Sequence, residues 1–138
     1  MIKTIVMVED DEDDCRIFHN LLVPHGDMIF NVYTCPMLRS CFGIIFEKRP
    51  DLVILDLNLP DSRGADTLHR LKNKFPRQKV LVVTGNLDSN LAETLLQIGA
   101  VDALEKSTVT QGEFRTAIAQ ALEEKPSHWQ ADSRTGVA

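Results

Sequence analysis

Leu52-Val53-Ile54-Leu55 and Val80-Leu81-Val82-Val83 are apolar at every position. A strand with one wet face alternates polar and apolar residues, so an unbroken apolar run needs cover on both faces. Two such runs point to central strands of a parallel sheet layered between helices. Ile2 to Val8 reads as a first strand, Met28 to Tyr33 as a weaker second strand near an edge, and Val101 to Leu104 as a short fifth. Stripes at helical spacing fall between them: Cys15, Phe18 and Leu22; Leu38, Cys41 and Ile45, with Phe42 and Phe46 beside them; Leu68, Leu71 and Phe75; Leu91, Leu95 and Ile98; Phe114, Ile118, Ala121 and Leu122. Pro24-His25-Gly26-Asp27, Pro50-Asp51, Pro76, Gly99 and Pro126 supply the turns and stops. Five strands alternating with five helices predict a doubly wound α/β fold around a five-stranded parallel sheet.

A chain of 138 residues suits one domain. That domain takes residues 1–125, and the polar, aperiodic segment 126–138, with Trp129 as its only large apolar residue, reads as a flexible or loosely docked tail. A net charge of −5 and the lack of a Lys/Arg run argue against a nucleic-acid partner. The N-terminal apolar segment is too short for a signal peptide or a membrane span. Cys15, Cys35 and Cys41 form no CxxC pair, which speaks against zinc and fits reduced thiols in a cytoplasmic protein.

Six acids, Glu9 to Asp14, follow directly on the first strand. Such a run has two readings. The acids can hold a cation that offsets their repulsion, or they can sit in the first turn of a helix, where its dipole favours them. In a doubly wound fold every strand ends on one edge, and sites form in the crevice beyond those ends. Glu9 and Asp10 follow strand one, Asp56 follows strand three, Thr84 and Gly85 follow strand four, and Lys106 follows strand five. Taken singly, each has an ordinary explanation: a loop cap, a β-branched strand end, a surface lysine. Their joint arrival at successive strand ends is what singles them out. The set suits phosphoryl transfer to a carboxylate. Asp56 is the nucleophile, and Mg2+ on Asp10 and Asp56, with Glu9 behind, offsets the charge. Lys106 and Thr84 pair with phosphoryl oxygens, and Gly85 leaves room for the group.

The segments IVMVEDDEDD, LVILDLNLPDSRG, VLVVTGN and GAVDALEKS, in this order and spacing, resemble the response-regulator receiver domains of two-component signalling over residues 2–124. The resemblance implies a flavodoxin-like sheet of order 2-1-3-4-5. It also implies Asp56 as phosphoacceptor, Asp10 as a direct Mg2+ ligand, Glu9 acting mainly through water, and the backbone carbonyl of Asn58 as a further ligand. Thr84 and Lys106 then take the switch and phosphate-pairing roles, and Pro60 and Gly64 match the loop after the phosphoacceptor. The donor is a sensor histidine kinase or a histidine phosphotransfer protein. Output is through a downstream protein target or a homodimer. The chain acts on no other substrate. Asn58 and Asn86 occupy positions that influence hydrolysis in the family, and two amides imply slow to moderate loss of the phosphoryl group.

Two positions depart from the family pattern. Ala103 stands where receivers often carry Tyr or Phe, and Ser107 follows the lysine where proline is common. The usual coupling of hydroxyl and rotating aromatic is therefore not expected, nor is a cis bond after Lys106. Three other readings share part of the pattern. A haloacid-dehalogenase-like phosphatase places a second aspartate where this chain has Asn58. A flavin binder of the same fold needs a phosphate loop where this chain has six acids. A receiver-like binding module working without phosphorylation has no need of the acid, Thr and Lys set.

Overall fold

The structure, a computed structural model, describes residues 1–24 and 26–123. Five parallel strands form the main sheet: β1 (Ile2–Val8), β2 (Ile29–Cys35), β3 (Leu52–Leu55), β6 (Val80–Thr84) and β7 (Asp102–Glu105). A two-residue hairpin, β4 (Asn58–Leu59) with β5 (Ser62–Arg63), sits between them in sequence. The helices are α1 (Glu12–Leu21), α2 (Leu38–Lys48), α3 (Ala65–Lys74), α4 (Ser89–Ile98) and α5 (Gln111–Leu122). The sheet order is β2-β1-β3-β6-β7, the expected 2-1-3-4-5 once the hairpin is set aside.

Period-two alternation divides the strand side chains between two cores. Val6, Val8, Val53, Leu55, Val80 and Val82 face Leu38, Cys41, Ile45, Leu68, Leu71 and Leu95 of α2, α3 and α4. Ile5, Met7, Leu52, Ile54, Leu81 and Val83 face Phe18 of α1, Leu22 just past its end, and Phe114, Ile118 and Leu122 of α5. The unbroken apolar runs are thus covered on both faces, as their composition requires.

The differences from the sequence reading are local. β2 runs on to Cys35 because its ladder with β1 continues to the Val8–Cys35 pair, and Met28 stays outside it. β7 is shifted by one residue because Leu81 pairs with Asp102. Phe46, set beside the core stripe of α2, is 75% exposed. Cys15 is half-buried rather than core, and its Sγ donates to Glu9 O at 3.4 Å. The hairpin was not anticipated. Cys35 and Cys41 are buried free thiols. The tail and Trp129 lie outside the described residues.

Candidate phosphoacceptor site

Three site residues are fixed by ladder bonds that run one step past their strands. Glu9 N–H donates to Cys35 O at 3.0 Å, Asp56 N–H to Val8 O at 3.0 Å, and Lys106 N–H to Thr84 O at 2.9 Å. Their side chains therefore leave rigid backbone at one edge of the sheet, in the crevice that the fold reserves for ligands. One carboxylate oxygen from each of Glu9, Asp10 and Asp56 lies within 4.8 Å of the others. Glu9 and Asp56 are buried and Asp10 is exposed. Three hard oxygen donors, one open to solvent, suit a divalent cation that keeps several waters.

Lys106 Nζ sits among the acids, at 2.5 Å from Glu9 Oε1, 2.8 Å from Asp14 Oδ2 and 3.1 Å from Asp56 Oδ2. Its three protons match three carboxylates. Burial pushes the ammonium down, but bonds to Asp14 and Glu9 and the charge of Asp56 outweigh this and hold it above its ordinary value. Burial pushes Glu9 up to about 7, the charge of Asp56 adds to this, and Lys106 pulls against both. These two partners disagree, since a contact ion pair alone lowers the acid. Here desolvation of the carboxylate wins, because Glu9 is 5% exposed and faces a second buried acid.

The sign of the pH effect follows. A folded-state value above the unfolded one gives stability that is present below about pH 4.5 and lost as pH rises through about 7. A divalent cation binds the ionised form, so its binding releases a proton. Apparent Mg2+ affinity is expected to rise about tenfold between about pH 6 and pH 8. Calorimetry in two buffers of different ionisation heat measures both the affinity and the proton. An affinity flat with pH would mean that Glu9 is already ionised in the apo protein.

Asn58 N–H donates to Asp56 Oδ1 at 3.2 Å, which sets the backbone of residue 58 against the acceptor. The following loop is held by the Thr67 hydroxyl donating to Leu57 O and bonded to Ser62 Oγ at 2.7 Å. Gly64 turns it at φ 67°, in the region that favours glycine. Thr84 is 1% exposed and Asn86 exposed; both lie on this edge, outside the ammonium–carboxylate network. A Cβ on Gly85 would meet no protein atom within 4 Å. Among the described residues no peptide bond is cis, including that after Lys106.

Two residues that the sequence reading did not assign to the site belong to it. Asp14, the last of the six-acid run and given no site role there, is the third partner of Lys106. Asp11 caps α1 by accepting from Asp14 N–H at 2.9 Å, and this fixes the turn that aims Asp14 at the ammonium. The signal available was the cap: Asp11 stands three residues before Asp14, the separation at which an N-cap side chain accepts from the helix backbone. Asp61 accepts from Leu38 N–H and Arg39 N–H, both at 2.9 Å, and so ties the loop after Asp56 to the start of α2. No local pattern announces a cap supplied from another loop.

Asp14→Asn removes a negative charge and leaves Lys106 divided between the two carboxylates that a metal ion needs. Both effects weaken metal binding, by an expected factor of about two to five. Asp13→Asn, with its side chain 81% exposed and paired with Arg16, should leave the affinity unchanged. Equal loss in both variants would reduce the effect to general charge.

The response regulator receiver domain family matches residues 5–119, and the chain belongs to it. It is 32% identical over 100 residues to the luminescence regulatory protein LuxO of Vibrio campbellii, matching 72% of this chain and 21% of that one. The chain thus spans about a fifth of the length of that curated relative. The BeF3-activated N-terminal receiver domain of Klebsiella pneumoniae RstA superposes with TM-score 0.76 at 26% identity, covering 88% of this chain and 99% of that one. The Mn(2+)-bound response regulator Rcp1 superposes with TM-score 0.67 at 22% identity, covering 83% and 88%. Receiver domains work in phosphorylation-based two-component signalling and typically bind a divalent metal, for which this chain has the acidic cluster. Among the described residues no helix is long and apolar enough to cross a membrane.

Proposed function

We propose that this domain accepts a phosphoryl group from a phosphohistidine onto Asp56, with Mg2+ bound, and that the acyl phosphate changes which proteins it contacts. The observation that carries this reading is the buried Asp56 carboxylate, flanked by an acid pair and in contact with a rigidly placed ammonium. An Asp56 carboxylate oxygen attacks phosphorus. The N–P bond of the donor breaks and the imidazole nitrogen keeps the electron pair, then takes a proton. A bound divalent ion supplies charge neutralisation on the phosphoryl oxygens, with Glu9, Asp10, Asp56 and the carbonyl of Asn58 to hold it. The manganese-bound relative supports such an ion, and Mg2+ is the ordinary cytoplasmic choice.

Lys106 starts in contact with Asp56. When the carboxylate becomes an ester-like acyl phosphate, it loses its charge, and the ammonium gains a phosphoryl oxygen in exchange. Thr84 Oγ1 is the hydroxyl on the same edge able to donate to another. The switch has no aromatic at position 103. Ala103 is half-buried and lines a groove with Leu87, and α4 packs on β7, so movement of residues 85–88 and α4 against β7 is the rearrangement open to this chain. Donors are a sensor histidine kinase or a histidine phosphotransfer protein. The reader is a downstream protein or a second copy. The chain catalyses its own phosphorylation and dephosphorylation only, in the cytoplasm.

Acetyl phosphate with Mg2+ should add one phosphate to the intact protein, lost on chelation and absent in Asp56→Asn. Mass spectrometry of the whole chain reads this directly. No mass gain, or a gain that persists in Asp56→Asn, sinks the reading and leaves a phosphorylation-independent binding module.

A further inference from the structure

The opposite edge of the sheet carries a second concave surface. A groove of about 660 Å³ lies where β1, β3 and β6 begin and where α2, α3 and α5 end. Lys3, Arg49, Lys74, Arg77 and Lys79 line it, against the carboxylates of Asp51 and Glu123. Asp51 already accepts from Thr4 N–H at 2.8 Å. These cations are scattered along the chain and meet only in the fold, on a protein of net charge −5. Helix dipoles favour cations at helix ends, which accounts for Lys74. They do not account for the conformation of Arg49.

Arg49 is the one non-glycine residue with positive φ among the described residues, at φ 47° and ψ 62°. It ends α2 in the left-handed region, where glycine is the ordinary choice and a side chain is strained. Glycine would close the helix better, so what arginine adds is a guanidinium at the groove. An exposed strain of this kind argues from structure to function. Phe46, three residues earlier on α2, lines the same groove and is 75% exposed. Aromatic side chains and arginine are enriched at the buried centres of protein interfaces.

We propose that this groove binds an acidic segment of a partner protein, with its carboxylates on Arg49, Lys74 and Arg77 and one large apolar side chain against Phe46. Guanidinium forks match carboxylates bidentately. The apolar lining, to which both Phe46 and Phe75 contribute, suits a side-chain anchor better than a phosphate backbone. The negative charge on the rest of the surface also repels nucleic acid. The proposal does not depend on phosphorylation of Asp56, which lies at the other sheet edge.

The test is selection of short random peptides on the full chain, followed by amide shift mapping of the winners. Expected winners carry net negative charge and one aromatic or leucine. They move amides of residues 45–49, 51, 74, 75 and 77–79 and bind more weakly as salt rises. Phe46→Ser and the double variant Arg49→Gly/Arg77→Glu should each weaken them at least about tenfold. Arg49→Gly relieves strain, so the variant stays folded and lost binding is not lost structure. The proposal is overturned if no sequence is enriched, if neutral or basic sequences win, or if shifts fall elsewhere. It is also overturned if binding appears only on a chain ending at Glu123, which would give the groove to residues 124–138.

Discussion

Lys106→Met is expected to lower the melting temperature of the metal-free protein, with a larger deficit at about pH 8 than at about pH 6. Saturating Mg2+ should recover much of the loss. Nζ contacts three carboxylates, and two of these, on Glu9 and Asp56, are 5% exposed. Removing one partner of a buried ion pair costs about 3–5 kcal/mol because the remaining charge has no counter-ion. At this site the cost has a relief valve. Glu9 titrates near 7 even beside the ammonium, and without it the value moves higher. At the lower pH a proton replaces the lost cation, and the repulsion falls. At the higher pH it does not. A divalent ion then becomes the only counter-charge available, so the thermal shift produced by Mg2+ should be larger in the variant than in the wild type. Thermal scans at both pH values, with and without metal, read all four states. A variant as stable as wild type at the higher pH without metal would remove Lys106 as the resting counter-ion of the site.

This competition between ammonium, proton and metal was only half visible in the sequence. The strand-end positions of Glu9, Asp10, Asp56, Thr84 and Lys106 followed from strand period and parallel topology, because a residue just past a buried strand has one place to go. Asp14 did not follow. Its role depends on the Asp11 cap, which sets the phase of α1 and so decides which acid of the first turn faces Lys106. Asp61 was hidden for another reason. The N-cap position of α2, Met37, has no side-chain cap bond, and a carboxylate from residue 61 fills the gap across 22 to 23 positions of sequence. Local capping rules see only neighbours. The hairpin at 58–63 was missed because two-residue strands lack a readable period. The basic groove was missed because a run of charge is visible in sequence and a convergence of single charges is not.

Phe114→Ala is expected to cost about 3–5 kcal/mol, the range for truncating a buried aromatic. Phe114 has no exposed surface and lies 5.2 Å, centroid to centroid, from Phe18. α5 itself should persist, since Thr110 and Glu113 close a capping box at its start, with Glu113 N–H donating to Thr110 Oγ1 at 3.0 Å and Thr110 N–H to Glu113 Oε1 at 2.8 Å. What is lost is the packing of α5 and α1 on one face of the sheet, where Ile5, Met7, Leu81 and Val83 form the floor. Against a total stability of about 5–15 kcal/mol, that loss is a large share. Thr110→Ala gives the contrast: it removes one cap bond at an exposed position and should cost about 1 kcal/mol. Urea titration of both variants separates packing from capping, with the midpoint falling far more in Phe114→Ala. A loss below about 1 kcal/mol there would mean that the face refills by collapse. The consequence reaches the site, because α1 is what carries Asp14 to Lys106. A chain that keeps its sheet but loosens α1 should therefore keep the Glu9, Asp10 and Asp56 cluster while losing the third anchor of its ammonium.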